Sequence, residues 1–344
     1  MQLTQILTLK MNKFIKLVLF LLVVTTSQLK AQNAEVFEQI GYLLNDALLY
    51  SNKYITPATD AAVYQASSGW MTSAKKKELG EVTFGVNANL FFVPKLDRTF
   101  TASNNDFEFF SIEGQNSIEV PTALGNNEQY YLVGDLGGSE VRLKSPEGVN
   151  EETVFYPYLQ AGVGLWYGTE VLVKYSPKTK LKKGDYQVYG AALKHNLDQY
   201  FSENFNKTIH VSALVAYSKE NLSFDFVDIQ SAYGTLGINS LGSSIDTYQT
   251  QINISKTHKN LEVLWGVIFN VSDFNYKFDG EKGSIEEIVP LQDILNDRMK
   301  GLSKTKRNLI GEFSGRYQFS NFFVQGTLAF GKFVNTNISL QYEF

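Results

Sequence analysis

The sharpest chemical pattern in the sequence is a histidine and a serine two residues apart. Ile209, Val211, Ala213, Val215 and Tyr217 recur at every second position, so on a strand His210 and Ser212 share the opposite, polar face. An imidazole beside a hydroxyl can activate it as a nucleophile when a third group orients the ring. The rest of the chain lends the pair no support. His195, His210 and His258 are too dispersed to suggest a ligand cluster, and neither His-Glu-x-x-His nor EF-hand spacing occurs. With no cysteine there are no disulfides, thiolate zinc sites, Cys nucleophiles or lipobox-type anchors. Gly326 to Phe333 approaches a phosphate-binding loop, but it ends on Phe where Ser or Thr is needed and follows a strand pattern. The reading is a chain without metal, cofactor or catalytic site, in which His210 and Ser212 belong to an ordinary polar strand face.

The elements that would carry these residues are mostly strands. Aromatics make up 14% of the sequence and charged residues only 19%, below the ~25% usual in soluble domains. In Glu81 to Pro94 the even positions hold Val82, Phe84, Val86, Ala88, Leu90 and Phe92, and the odd ones are mainly polar. Ile209–Tyr217, Tyr248–Lys256, Leu309–Phe319, Phe322–Phe330 and Asn335–Phe344 alternate in the same way. Each such run has one apolar and one polar face. One convincing helix precedes them, over 34–49, where Val36, Phe37, Ile40, Leu43, Leu44, Ala47 and Leu48 follow three- and four-residue spacing. Residues 52–74, with Pro57, Ser67-Ser68-Gly69 and Trp70, read as irregular connection with at most one short helical piece.

The N-terminus reads as a secretory signal peptide. A basic stretch at Lys10–Lys13 precedes the apolar run Leu17–Val24 and a small-residue site ending at Ala31. The run is far shorter than the ~20 residues of a spanning helix. The expected division is a signal peptide at 1–31, an N-terminal helical plug or periplasmic segment at 32–79, and a barrel at 80–344.

Allowing weak candidates, strands are expected at 80–94, 106–114, 129–135, 139–144, 154–166, 169–176, 185–194, 208–218, 222–229, 246–256, 261–272, 308–318, 322–331 and 335–344. The fold class is therefore all-β, a transmembrane antiparallel barrel of about fourteen strands, or twelve if the poorly patterned 129–144 is left out, with an N-terminal helical plug or cap. Turns at 219–221, 258–260 and 320–321 fall on the periplasmic side, and the loops 230–244 and 273–306 on the outer side. A soluble sandwich also alternates. Against it stand the leader, polar faces rich in Asn, Gln, Thr and Ser, and an aromatic final residue on the apolar face.

The ending Asn335 to Phe344, with Leu340, Tyr342 and Phe344 alternating, resembles the C-terminal signal that outer-membrane barrels present to their assembly machinery. The helix with Tyr54-Ile-Thr-Pro57, then Gly69-Trp70, Phe92-Val93-Pro94, Gly168-Thr-Glu170 and Tyr175-Ser-Pro177, resembles barrels related to the long-chain fatty-acid transporters. That resemblance implies a barrel with residues 32–79 inside or beneath it and passage of hydrophobic molecules. The Asn-Pro-Ala start of the characterised channels is missing.

The expected location is the bacterial outer membrane, with its lipid, the assembly machinery and a small hydrophobic ligand as partners. Net charge is −4 and the one basic block is Lys75-Lys76-Lys77, so the footprint of a nucleic-acid binder is missing. On the 308–318 strand Glu312 and Arg316 share the polar face with Ser314 and Gln318 and are expected to face the lumen, bracing it or lining a conduit. The alternative to passive transport is a structural or surface-binding barrel whose charged 273–306 loop meets a partner.

Overall fold

The computed structural model describes residues 36, 38–201, 208–225, 230–231, 234–235, 238–282 and 290–344; the expected signal peptide lies outside them. Ten strands close a barrel: β1 Val82–Phe92, β2 Thr153–Gly164, β3 Thr169–Tyr175, β4 Gly184–Asn196, β5 Ile209–Asp225, β6 Ser240–His258, β7 Leu261–Asp279, β8 Lys304–Phe319, β9 Phe322–Phe330 and β10 Val334–Glu343. Each pairs antiparallel with the next, and β10 closes on β1 with Phe84 opposite Tyr342. Closure removes the unpaired edges that an open sheet would leave.

Ten replaces the expected fourteen or twelve for two physical reasons. Three expected strands do not join the wall. They contribute Ser111–Ile112, Tyr131–Leu136 and Ser139–Lys144, a small separate sheet inside the 93–152 insertion. Runs of two to six residues are too short to cross beside the others. Two further expected strands are one: Lys219-Glu220-Asn221 is not a turn but the middle of β5. Glu220 points inward, where its carboxylate accepts from Ser218 and Thr247, while Lys219 points outward and pairs with Asp246 at 3.3 Å. A strand with polar groups available on both faces has no reason to turn at a charged triplet.

One end of the barrel carries the short turns 165–168, 259–260 and 320–321 together with the start of β1 and the end of β10. The other carries the long connections 93–152, 226–239 and 280–303. The expected grouping of turns and loops holds apart from the turn at 219–221; the loops expected at 230–244 and 273–306 become 226–239 and 280–303, and the turn end also carries the longer connection 197–208.

Through the turn-end half the wall is inside-out relative to a soluble protein. Val86, Val215, Ile252, Val267 and Ile338 are outward and about half exposed, whereas Asn87, Gln251, Asn253, Asn270 and Gln341 are buried inside. Toward the loop end the polarity reverses. Outward positions become Lys219, Asp246, Asp273 and Thr305, aligned across β5 to β8 by register, and inward ones become Leu222, Phe224, Leu241, Ile245, Phe274 and Phe278. The tall strands β5 to β8 thus rise past the apolar belt as an ordinary water-facing sheet.

That raised wall encloses a core. Helix α1 (38–67) fills it, continuing well past the expected end at 49 and through Pro57. An interior proline costs a helix about 3 kcal/mol. Here Ile55, Ala58, Ala62, Val63 and Ala66 are nearly fully buried, so packing holds the helix together. A second helix, α2 (Leu291–Met299), lies in the β7–β8 connection, and Asn296 docks it by accepting from the Phe278 N–H at 2.7 Å and donating to the Phe278 carbonyl at 3.1 Å.

Candidate functional site

Two features dominate the interior, an apolar chamber at the loop end and a peptide plug beneath it. The chamber forms where α1, the 93–152 insertion, the raised wall and α2 meet. Its volume is about 110 Å³, and its lining is almost wholly apolar: Leu43, Leu44, Tyr50 and Tyr54 from α1, Phe110, Leu132 and Leu136 from the insertion, Leu241 and Phe278 from the wall, and Leu291 and Leu295 from α2. Its walls are fixed by polar pins. The Asp46 carboxylate accepts from the N–H groups of Glu108, Phe109 and Phe110 at 2.8–2.9 Å, and the Tyr54 hydroxyl donates to the Glu147 carbonyl at 2.7 Å. The buried Tyr50 hydroxyl makes no well-formed hydrogen bond among the described residues, and its nearest polar neighbour is Ser145. Burial pushes the Tyr50 pKa up and keeps the phenol neutral.

Below α1, residues 68–79 leave the helix and thread the lumen to the start of β1. This peptide has no regular structure, so its backbone groups need partners from elsewhere. The wall supplies them. The Glu312 carboxylate accepts from the Gly69 N–H at 2.8 Å, and Glu262 accepts from the Ser73 hydroxyl at 2.8 Å and the Ala74 N–H at 3.3 Å. Lys174 donates to the carbonyls of Ala66 and Ser68 at 3.1 and 2.7 Å, and stands 4.4 Å from the Trp70 ring centroid. Lys194, paired with Glu170, donates to the carbonyls of Ser73 and Lys75 at 3.0 and 3.3 Å. Gln160, Gln325 and Asn196 donate to the carbonyls of Trp70, Met71 and Ala74. Side chains from most of the wall therefore read one irregular strand of backbone.

At the upper rim Asp60 joins Lys306 of β8 to Lys332 in the 331–333 turn, the latter at 3.0 Å. Burial acts to lower the Lys332 pKa, but its bond to Asp60 and the nearby Asp60 and Asp97 charges outweigh that and raise it.

The residues singled out in sequence fall in three places. Glu312 and Arg316 are buried in the lumen. Arg316 donates to Gln341 at 2.9 Å and Glu343 at 2.7 Å, stacks 3.5 Å from the Phe323 centroid, and closes the turn end, while Glu312 holds the plug. His210 and Ser212 do not form a relay. Asp198 does orient the His210 ring at 2.7 Å, but His210 stands at the turn-end rim and Ser212 donates deep inside to the Met71 sulfur at 3.7 Å. Leu340, Tyr342 and Phe344 lie on the outer face, where Tyr342 packs edge-on against Phe344 and Phe322, with centroids 4.6 and 4.8 Å apart.

Among the described residues no cluster of His, Asp and Glu is arranged to hold a metal. The chamber-lining residues and the plug partners Lys174, Lys194 and Glu262 were not legible as a site. They come from segments far apart in sequence, and each alone is one polar or apolar position of a helix, strand or loop.

The geometry defines a class: a closed ten-stranded antiparallel barrel with an apolar belt outside, a polar lumen and a lumen-filling segment of its own chain. The chain belongs to the family of unknown function DUF6588, whose model matches residues 11–344. No curated protein matches it in sequence.

Among solved structures it is similar to Ail, the attachment invasion locus protein of Yersinia pestis in complex with the heparin analogue sucrose octasulfate, at 8% identity and TM-score 0.25 over 78% of this chain and 100% of that one. The translocator domain of autotransporter NalP from Neisseria meningitidis gives 8% and 0.34, over 83% and 95%. A Pseudomonas aeruginosa FadL homologue gives 8% and 0.30, over 73% and 60%. At these scores none of them bears on function.

Proposed function

We propose that the protein is a bacterial outer-membrane barrel, exported by the 1–31 signal peptide and handed to the assembly machinery through Leu340, Tyr342 and Phe344, that takes up small hydrophobic or amphiphilic molecules without catalysing a reaction on them. The membrane part of the reading is supported by the apolar belt. It runs nine residues in β5, from Ile209 to Tyr217, and eleven in β8, from Leu309 to Phe319, matching the roughly 9–11 residues of a tilted spanning strand. The loop end then faces outward, as in bacterial barrels generally.

The uptake part is carried by one observation: the apolar chamber stands at the loop end, directly over the plug. An amphiphile arriving from outside finds a dry, preformed site there, and its onward passage requires residues 68–79 to give way. The test is transfer of a fluorescent hydrophobic probe into liposomes containing the full chain, against the chamber-filling variant Leu44→Trp. Uptake by the first and not the second supports the reading. Equal uptake by protein-free liposomes sinks it.

A second reading, a structural or surface-binding barrel without transport, is favoured by the density of wall-to-plug hydrogen bonds. Probe binding in the chamber with neither uptake nor conductance would establish it.

A further inference from the structure

A cleft beside the chamber brings together lysines that no stretch of sequence displays as a block. Between β3 and β4 a hairpin extends above the belt, carrying Lys178, Lys180, Lys182 and Lys183, and across from it lies Lys144 of the insertion. The cleft between them has a volume of about 250 Å³, and Lys144, Lys182, Lys183, Glu147, Asp225 and Gln129 are in its lining. Ion pairs occupy two of the five lysines: Lys178 meets Asp185 at 2.8 Å and Lys183 meets Glu147 at 3.1 Å. Lys144, Lys180 and Lys182 are exposed and have no acidic partner among the described residues.

Both walls are rigid. Gly184 holds φ +147°, and a Cβ there would lie 1.8 Å from the Ser223 carbonyl oxygen, so the hairpin tip packs directly on β5. The Asp225 N–H ties it further by donating to the Lys183 carbonyl at 3.1 Å. Opposite, the Ser145 N–H donates to the Tyr130 carbonyl at 2.8 Å, and Gln129 donates to the Ser145 carbonyl at 3.1 Å.

We propose that this cleft binds a phosphorylated saccharide. Ammonium groups on facing walls suit phosphate oxygens, and a bare polyanion would leave the Asp225 carboxylate facing like charge. A sugar avoids this because its hydroxyls donate to Asp225 while its phosphates take Lys144 and Lys182. The same chemistry is presented by a glycolipid headgroup in the outer leaflet and by a soluble glycan. The site stands whether or not anything crosses the lumen.

The probes are a bisphosphorylated glucosamine disaccharide without acyl chains, its acylated form in phosphatidylcholine nanodiscs, and inorganic phosphate. Each is titrated against the full-length protein at 50 and 200 mM salt. The double variant Lys144→Gln/Lys182→Gln is expected to bind the disaccharide at least tenfold more weakly and with a shallower salt dependence. Lys144→Arg/Lys182→Arg is expected to retain binding, and Lys259→Gln at the opposite end to change nothing. Lysine-dependent binding of the acylated form alone assigns the site to lipid, and of both forms to the sugar itself. Equal binding by wild type and the glutamine variant, or inorganic phosphate binding as tightly as the disaccharide, overturns the proposal. Heat-modifiable migration of each variant shows that it has folded.

Discussion

The Gly69 N–H donates to the Glu312 carboxylate at 2.8 Å, joining the plug to β8 inside the barrel across 243 residues of sequence. Gln251 donates to the same carboxylate from β6 at 3.3 Å. In Glu312→Ala the Gly69 N–H loses its acceptor while Gln251 still donates to Asn253 at 2.9 Å, and a buried donor left unpaired costs about 1–3 kcal/mol. Glu312→Gln keeps an acceptor oxygen. The expected order of plug stability is therefore wild type, then Gln, then Ala, read as rising single-channel conductance in planar bilayers. Equal conductance of all three would show that this contact does not hold the plug.

Gly69 itself offers an independent handle. Its φ of +70° costs a side-chain-bearing residue roughly 1–2 kcal/mol, and an added Cβ would stand 2.5 Å from the Tyr158 hydroxyl oxygen. Gly69→Ala should lower the temperature at which the barrel loses heat-modifiable migration. Adding Tyr158→Phe removes the clash but not the backbone strain, so the double variant should recover part of the loss. No recovery would mean that Tyr158 moves aside freely.

Much of this arrangement was legible in the sequence, and the unread part depends on what lies across the fold from each residue. Alternation at Val82–Phe92 or Tyr248–Lys256 names the outward face because one wall position sees apolar surroundings and the next polar ones, a strictly local signal. Strand count failed at β5, where that signal changes sense, and in the 93–152 insertion, whose short strands pair with one another and not with the wall. Above Tyr217 and Tyr248 the outward face becomes polar, so β5 looked as if it ended, although Asn221 pairs on with Ser244 in unbroken register. The same change hid the raised wall and the chamber it encloses. Helix α1 runs on past Pro57 because the burial of Ile55 and Ala58 offsets the proline's cost, and that burial has no local signature in the sequence. Glu312 and Arg316 were readable as inward-facing, but that one would meet Gly69 and the other Glu343 depends on where the plug lies. The lysines of the cleft stayed hidden because Thr179 and Leu181 interrupt them and Lys144 arrives from another element.

The polarity reversal fixes where the belt ends. Ile252, outward on β6 and 59% exposed, lies well inside it, whereas Asn275, outward on β7, lies beyond Asp273. In folding titrations into lipid vesicles, Ile252→Arg should cost about 2–4 kcal/mol, as arginine does near a bilayer midplane. Asn275→Arg should stay within about 0.5 kcal/mol of wild type, as surface changes usually do. Equal costs at both sites would mean that hydrocarbon does not surround this belt.

In the chamber the Tyr50 hydroxyl makes a prediction of unusual sign. Replacing a bonded buried tyrosine by phenylalanine normally destabilises, but Tyr50→Phe removes a hydroxyl with no well-formed hydrogen bond among the described residues and leaves the ring packed edge-on to Phe100 at 5.3 Å. Stability should be unchanged or slightly higher, and an environment-sensitive hydrophobic dye should bind at least as tightly. Leu44→Trp, which fills the chamber, should abolish dye binding with the barrel still folded. If Tyr50→Phe weakens binding of an amphiphile but not of a purely apolar dye, the hydroxyl is the group that receives the amphiphile's polar end. Equal weakening of both would mean instead that the ring has shifted and that the chamber depends on Tyr50 for its shape.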